Sequence, residues 1–165
     1  MGYIAVNTTA EFVRLDINSG TYAGANVNLQ ADAAFVDTTN TLTVPALQDI
    51  TVNATPGTFE WQQLDELSSY IVTTPSTNSL SMNMVLDDTA FFTGKGATLG
   101  IFDITNNKTL VFFRMYWQGA VSTDRYIQGQ AYISNLAPTV SATAPVYVSP
   151  VDLLVLGDYH TGTVA

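Results

Sequence analysis

The chain has 165 residues, of which 47% are apolar and only 12% are charged, and its formal net charge is -9. This length predicts one domain, residues 1–165, with a core that needs no staples and with mobile N- and C-terminal ends. Five basic residues against fourteen acidic ones exclude a basic surface for clamping phosphates, and the absence of cysteine excludes disulfides and thiolate metal sites. The acidity either keeps the protein soluble or sets the electric field along a functional wall.

The first third of the chain alternates polar and apolar residues in the manner of β-strands. Residues 10–17 alternate, and a loop rich in Asn, Ser and Gly follows them. Residues 26–35 predict a second strand, whose apolar face consists of Val, Leu and Ala. Its polar face comprises Asn26, Asn28, Gln30 and Asp32. Such a strand has one solvated side.

The period changes in residues 58–71, which we interpret as a single α-helix. Thr58 is placed to cap it, Glu60 lies in its first turn, and Pro75 follows its end. Its apolar face comprises Trp61, Leu64, Leu67 and Ile71. We therefore expect these side chains to pack the helix on the β-structure, with Trp61 as its anchor.

Strand patterns return after this helix. Residues 80–86 alternate, and two further apolar runs, 98–104 and 109–117, flank a predicted tight turn at residues 106–108. The second run is apolar on both faces and is interrupted only by Arg114. A strand of this kind needs a packing partner on each of its two faces. Either the helix packs on one face and a second sheet on the other, or a neighbouring subunit packs on one of the two faces.

Few residues point to catalysis, and we predict neither an enzyme nor a cofactor. His160 lies in a small, polar C-terminal segment that we expect to fray, and no nucleophile or phosphate-loop motif occurs in the sequence. Asp87 and Asp88 either attract a cation or belong to a loop. The aromatic residues that could stack on sugars are Tyr22, Tyr126 and Tyr132. They leave a carbohydrate- or receptor-binding β-sandwich on a virion surface as an alternative function.

The last quarter of the chain resembles the C-terminal signature of the tail tube (major tail) proteins of long-tailed bacteriophages, the phage lambda tail tube family. In that family a segment leading through Ile-Ser to Pro-Thr precedes a polar bridge and a last strand that ends in Gly. The matching residues are Gly129, Tyr132, Ile133, Ser134, Leu136, Pro138, Thr139, Val146, Val148 and Gly157. The likeness extends over about Val52 to Asp158.

The resemblance implies a mainly β fold, a β-sandwich flanked by one helix at about residues 58–71. It also implies a structural subunit that polymerises as stacked hexameric rings around a conduit for double-stranded DNA and the tape-measure protein. The expected partners are further copies of the chain and tail-tip and terminator proteins, while DNA passes without specific binding. No signal peptide or membrane span is evident, so we expect assembly in the bacterial cytoplasm and a final place in the virion tail.

The resemblance also gives the acidity a use, since six copies at -9 carry ~54 negative charges per ring, and phosphate is repelled within a Debye length of about 8 Å. Alternation suggests as lumen-facing candidates Asn26, Asn28, Gln30, Asp32, Gln128, Gln130 and Ser134. Residues 18–24 and 37–49 are either ring-stacking arms or simple connections. Pro150 lies within the last predicted strand and must sit at an edge or a bulge, because it has no amide proton.

Overall fold

The computed structural model describes residues 14–44, 47–64, 67–117, 122–139, 142–143 and 146–165. In chain order its elements are β1 (Arg14–Asn18), α1 (Val27–Val36), β2 (Leu42–Val44), β3 (Leu47–Gln62), β4 (Ser69–Val85), a π-helical turn (Thr89–Thr93), α2 (Ile101–Asn106), β5 (Val111–Tyr116), β6 (Arg125–Leu136) and β7 (Val148–Thr163). Among the helices of the described residues, none is long and apolar enough to cross a membrane. The N-terminal end that we expected to be mobile, residues 1–13, lies outside the described residues.

Within the described ranges the seven strands form one antiparallel sheet, in the order β2-β1-β5-β6-β7-β4-β3. The mainly β prediction is therefore confirmed. The short β2 and the long β3 form the two edges of the sheet. Pro150 is paired with Asn83 of β4 on an interior strand, so the expected position at an edge or a bulge is wrong. It lies one residue beyond the last β6–β7 pair, Leu136 with Val151.

One face of the sheet carries the main core. Alternate residues of β4 point into it, namely Leu80, Met82 and Met84, and the π-helical turn and α2 add Phe91 and Ile104. Strands from both ends of the sheet contribute to this one cluster. The sequence predicted a sandwich, in which two sheets enclose the core. In the structure the strands that enclose the main core belong to one sheet.

Strand β5 is covered on both faces, as its sequence predicted. Phe113 and its alternate neighbours are buried in the main core, while Phe112 packs with Ala31, Ala34 and Phe35 of α1 on the opposite face. The helix that covers β5 is therefore α1. Helix α1 thereby lies over β5 and the adjoining part of β6.

The prediction of a helix over residues 58–71 is wrong. The described residues of this range belong to the end of β3, a turn and the start of β4, and the strands pair from Gly57 with Thr74 to Gln62 with Ser69. Aromatic and β-branched residues dominate the cross-strand pairs, and their pairing outweighs the helical spacing of the apolar residues. Of the four predicted helix-packing residues, Leu64 lies in the turn and Leu67 beside it, and both are fully exposed.

Two predicted strands are helices instead. Residues 26–35, expected as a strand, form α1, in which Asn26 caps the helix by accepting a hydrogen bond from the Leu29 amide at 3.0 Å. Its buried residues Ala31, Ala34 and Phe35 follow helical spacing. The run 98–104 ends in α2, so residues 106–108 close a helix and do not form a hairpin turn.

Candidate self-association surface

The paired ends of β3 and β4 project from the sheet as a two-stranded ribbon, which we call the arm and define as residues 57–62 and 69–74. Strand β7 pairs with β4 only over Asn78–Val85, so within the described residues β4 has a single partner along the arm. Every described residue of β4 from Ser69 to Thr77 is exposed. An isolated two-stranded ribbon is marginally stable in water at best. The arm therefore has the exposure expected of a segment that is completed by a partner.

The arm is amphipathic, because residues directly opposite each other on antiparallel strands share a face. Phe59 lies opposite Val72, and Trp61 lies opposite Tyr70. The Trp61 and Tyr70 rings stack at 4.9 Å between centroids with an interplanar angle of 23°. Phe59 is 59% exposed, Val72 52% and Trp61 38%. This uncovered apolar face has the composition of a protein interface.

The other face of the arm is mostly polar. It comprises the pairs Thr58 with Thr73, Glu60 with Ile71, and Gln62 with Ser69. Ile71, predicted to pack a helix, is 67% exposed on this face. The only charged side chain of the arm, Glu60, thus points away from its apolar face.

The base of the arm is tied to the body of the protein. A register shift separates the pair Thr55–Thr77 from the pair Gly57–Thr74, and a Cβ atom at Gly57 would collide with the Thr74 side chain. Below this bulge, the Tyr159 hydroxyl lies 2.7 Å from the Asn53 carbonyl oxygen and 2.8 Å from that of Ser79. Burial of the ring raises the pKa of Tyr159 to about 12. The hydroxyl therefore stays protonated and donates to these carbonyl groups.

On the side opposite the core the sheet has a largely polar surface, on which the exposed Leu154 lies opposite Ser79. We call its polar residues the open face: Asp49, Thr51, Asn53, Ser79, Ser81, Asn83 and Asp152. The Asn83 amide donates to both Asp49 carboxylate oxygens, at 3.1 and 3.0 Å, and the Asn135 amide donates to Asp152 at 3.0 Å. All five basic residues of the chain are described, and none belongs to β3, β4 or β7. Acidic groups therefore supply the fixed charge of the open face.

The lumen-facing candidates divide between this side of the sheet and α1. Gln130 is half-buried and Ser134 is exposed on β6, whereas Gln128 is buried and does not face solvent. The Gln128 amide donates to Asn28 and Asp32 on α1, and the Arg114 Nε atom donates to Gln128 at 2.8 Å. The candidates predicted on one strand face instead cap or belong to α1: Asn26, Asn28, Gln30 and Asp32.

Arg114 fastens α1 to the sheet. Its guanidinium group forms a 2.8 Å ion pair with Asp32 and lies 4.0 Å from the centre of the Tyr126 ring and 4.9 Å from that of Phe35. Desolvation by burial raises the pKa of Tyr126, and the Arg114 charge opposes that shift. The arrangement satisfies a buried cation that interrupts an otherwise apolar strand.

The remaining sequence candidates lie elsewhere in the fold. His160 belongs to β7, which pairs with β6 through Thr163, although the sequence predicted a fraying segment there. Asp87 accepts a hydrogen bond from the Ala90 amide at 3.1 Å and so begins the π-helical turn. No group of three or more His, Asp or Glu side chains among the described residues could hold a metal ion.

Both proposed ring-stacking segments make contacts within the body. The Tyr22 hydroxyl, in the segment 18–24, donates to Asp37 at 2.8 Å. The pKa of Asp37 is lowered, most of all by the hydrogen bond from the Asn40 amide and next by the one from Tyr22.

The arm was missed as an interaction surface because its sequence was interpreted as a helix. Its signal was the pairing of Thr-Phe-Glu-Trp with Tyr-Ile-Val-Thr between two Pro-containing segments.

Comparisons with known proteins bear on this fold. No family model matches the sequence, and no curated protein matches it. The SPP1 tail tube, solved by solid-state NMR and cryo-EM, aligns with a TM-score of 0.64 and 12% identity over 96% of this chain and 80% of that chain. The tail of an empty gene transfer agent particle, refined with C6 symmetry, aligns with a TM-score of 0.58 and 11% identity over 96% and 100% of the two chains.

A component of the native gene transfer agent virion aligns as well, with a TM-score of 0.53 and 12% identity over 74% of this chain and 89% of that chain. The similarity lies in the path of the backbone, because so few aligned residues are identical. The mainly β, tail-tube-like fold expected from the sequence is thereby confirmed: this chain has the fold of tail and tail tube structures.

Proposed function

We propose that this chain is a structural subunit of a bacteriophage-type tail tube, which works by polymerising with copies of itself. The observation that carries the proposal is the arm, an amphipathic ribbon on a tail-tube fold with an apolar face that is uncovered in one copy. The C6 symmetry belongs to the gene transfer agent tail, and we extend it to this chain as a hexameric ring. The expected location is the tail of a virion, after assembly in the bacterial cytoplasm.

The sheet edges support ring formation. Strand β3 offers sixteen residues along an outer edge, and β2, the other terminal strand of the order, offers three. Only two residues join β2 to β3, so the sheet curves and the Cα atoms of Val44 and Leu47 lie within about 11 Å. Unpaired edge groups invite another strand, and a closed ring of joined sheets removes them. Neighbouring subunits in a ring would therefore satisfy backbone groups that a single copy leaves to water.

The open face supports the role of a conduit. Its carboxylates at Asp49 and Asp152 would repel phosphate within about a Debye length of ~8 Å at physiological salt. Gln130 and Ser134 lie on the same side of the sheet and remain lumen candidates, together with the polar residues of the open face. In this proposal double-stranded DNA and a tape-measure protein pass along the wall without specific binding, and tail-tip and terminator proteins close the tube.

Electron microscopy of the purified chain tests the assembly. We expect rings or hollow tubes, in the presence of a tail-tip initiator where nucleation is slow. A chain that stays monomeric at high concentration with such an initiator would contradict the proposal.

The charge of the wall is tested with Asp152→Lys, compared with the matched variant Asp103→Lys on α2, away from the open face. We expect Asp152→Lys tubes to retain double-stranded DNA at low salt and to release it as salt rises, because lysine contacts to phosphate release counterions. DNA co-sedimentation with assembled tubes measures the retention. Equal retention by the Asp103→Lys tubes would show that the open face does not line the conduit.

A further inference from the structure

A second apolar surface lies at the opposite end of β4 from the arm. It is a groove of about 600 Å³ lined by Leu86, Asp87, Asp88, Phe91, Phe92, Phe102, Pro138 and Tyr147. Three phenylalanines form its aromatic wall, with ring centroids 4.7 Å apart for Phe91 and Phe92 and 5.8 Å apart for Phe91 and Phe102. Phe92 and Phe102 are 58% and 45% exposed. The groove is therefore a preformed apolar site that is open to solvent.

The arm of one copy is far from the groove of the same copy. The arm includes the first residues of β4, and the groove begins at Leu86, directly after its last residue. A strand of 17 residues spans roughly 55 Å at about 3.3 Å per residue. Only a second molecule can bring an arm to this groove.

We propose that the apolar face of the arm docks in the aromatic groove of a second copy of this chain. This inference rests on the proposed function and assigns the two surfaces that join successive subunits. Because the surfaces differ and lie at opposite ends of one strand, the contact is heterologous and repeats from copy to copy along the direction of β4. Head-to-tail contacts of that kind generate rings where the rotation closes and open filaments where it does not.

The chemistry of the two surfaces is complementary. The apolar face of the arm carries three aromatic rings, Phe59, Trp61 and Tyr70, and no charge, and aromatic pairs favour edge-to-face and offset contacts of the kind already present in the groove. Glu60 lies on the opposite face of the arm and is kept away from the groove carboxylates. Asp87 already accepts the Ala90 amide, which leaves the exposed Asp88 at the rim.

The available area is sufficient for a substantial part of a stable contact. Aromatic side chains bury about 150–250 Å² each when they are fully covered. Three rings and Val72, each already partly covered, supply several hundred Å² of the roughly 800 Å² that each partner of a standard interface buries. The ring edges described above would supply the remainder within a tube.

Cysteine cross-linking tests the contact directly, because the chain has no native cysteine. Val72→Cys on the apolar face of the arm is mixed with Phe92→Cys in the groove, with the two chains distinguished by mass. Thr73→Cys is the matched control, since it is the neighbouring residue on the opposite face of the same strand. After assembly and treatment with a short bismaleimide, we expect covalent dimers of unlike chains with Val72→Cys at least fivefold above those with Thr73→Cys.

The outcomes separate this inference from the proposed function. Tubes that form while Val72→Cys and Thr73→Cys cross-link equally to Phe92→Cys would overturn the arm–groove contact and leave the tube subunit intact. An unmodified chain that never polymerises would overturn both.

A second measurement covers the case in which a cysteine variant fails to assemble. Phe92→Ala removes an exposed ring, so we expect unchanged unfolding but loss of polymerisation, whereas Tyr132→Ala, an exposed ring outside both surfaces, assembles normally. If Phe92→Ala polymerises like the unmodified chain but loses binding of another tail component, the groove belongs to that component and the inference is wrong.

Discussion

The two halves of β4 have the same backbone conformation and opposite environments. From Asn78 to Val85 the strand lies between β3 and β7, and Leu80, Met82 and Met84 are buried in the core. From Ser69 to Thr77 it pairs with β3 alone, and every residue is exposed. The core half, Asn78 to Val85, is held by packing within one copy, whereas the other half is held by its cross-strand pairs with β3 and is exposed.

Alternation of polar and apolar residues therefore indicates only the half of β4 that is buried within one copy. From Leu80 to Met84, apolar and polar residues alternate strictly, because one face is dry and the other is wet. In the arm, Tyr70, Ile71 and Val72 are consecutive, which places apolar atoms on both faces of the ribbon. The arm thus follows a pattern that the fold of a single chain does not explain.

The largest effect is expected in the core half. Leu80→Ala should lower the free energy of unfolding by about 2–5 kcal/mol, because Leu80 is fully buried and the substitution leaves a cavity. Urea denaturation of the unassembled subunit measures it. Val72→Ala in the arm is the matched control, for which we expect a change within about 0.5 kcal/mol. Equal losses for the two variants would show that the arm is packed in the single copy.

A smaller effect is expected where the two halves meet. Tyr159→Phe removes the hydroxyl that bonds the Asn53 and Ser79 carbonyl groups at the base of the arm. We expect a loss of about 0.5–1.5 kcal/mol in the free energy of unfolding at neutral pH. A variant as stable as the unmodified chain would mean that water replaces this hydrogen bond without cost.

The pH dependence of Tyr159 gives an independent check on the burial of the same side chain. Burial raises its pKa from 10.0 to about 12, so between these values the unfolded chain loses this proton while the folded chain keeps it. The stabilisation is therefore complete below pH 10 and is lost as the pH rises toward 12. Comparing unfolding midpoints of the two proteins across this range isolates Tyr159 from Tyr22 and Tyr126, whose pKa values burial also raises. The difference between the proteins should shrink with pH.

Features that depend on local chemistry and burial could be predicted from the sequence. The mainly β class followed from alternation, and the two covers of β5 followed from its two apolar faces. The C-terminal residues that resemble tail tube proteins form most of β6 and β7. Each of these signals reports contacts made within one copy.

The arm could not be predicted from the same reasoning, because its apolar residues fit two periods. Trp61, Leu64, Leu67 and Ile71 recur at helical spacing, and a helix buries such a face on its own protein. The strand pairs Trp61 with Tyr70 instead, and leaves Leu64 and Leu67 in and beside the turn. Pairing between residues seven to seventeen positions apart decides the outcome, and a local window does not contain it.

At α1 the sequence predicted a strand where the structure has a helix. The lumen-facing residues predicted there therefore belong to α1 or cap it. The polar residues at positions 26, 28, 30 and 32 alternate by coincidence, while the helical signal lies in Asn26 as a cap and in the spacing of Ala31, Ala34 and Phe35. The ion pair between Arg114 and Asp32 and the buried Gln128 join residues distant in sequence. The open face could be found only once the register of β3, β4 and β7 was known.

The smallest effect on stability is expected at Trp61, where sequence and structure disagree most. As the anchor of a packed helix, Trp61→Ala would cost roughly 3–5 kcal/mol. On the arm it is 38% exposed and stacks on Tyr70, so we expect less than about 1 kcal/mol, close to the value of an exposed aromatic pair. Urea denaturation of the unassembled Trp61→Ala subunit should then show nearly normal unfolding. Sedimentation under assembly conditions should detect few or no polymers. A loss of several kcal/mol with normal assembly would place this ring in the core of its own chain and remove the arm as the joining surface.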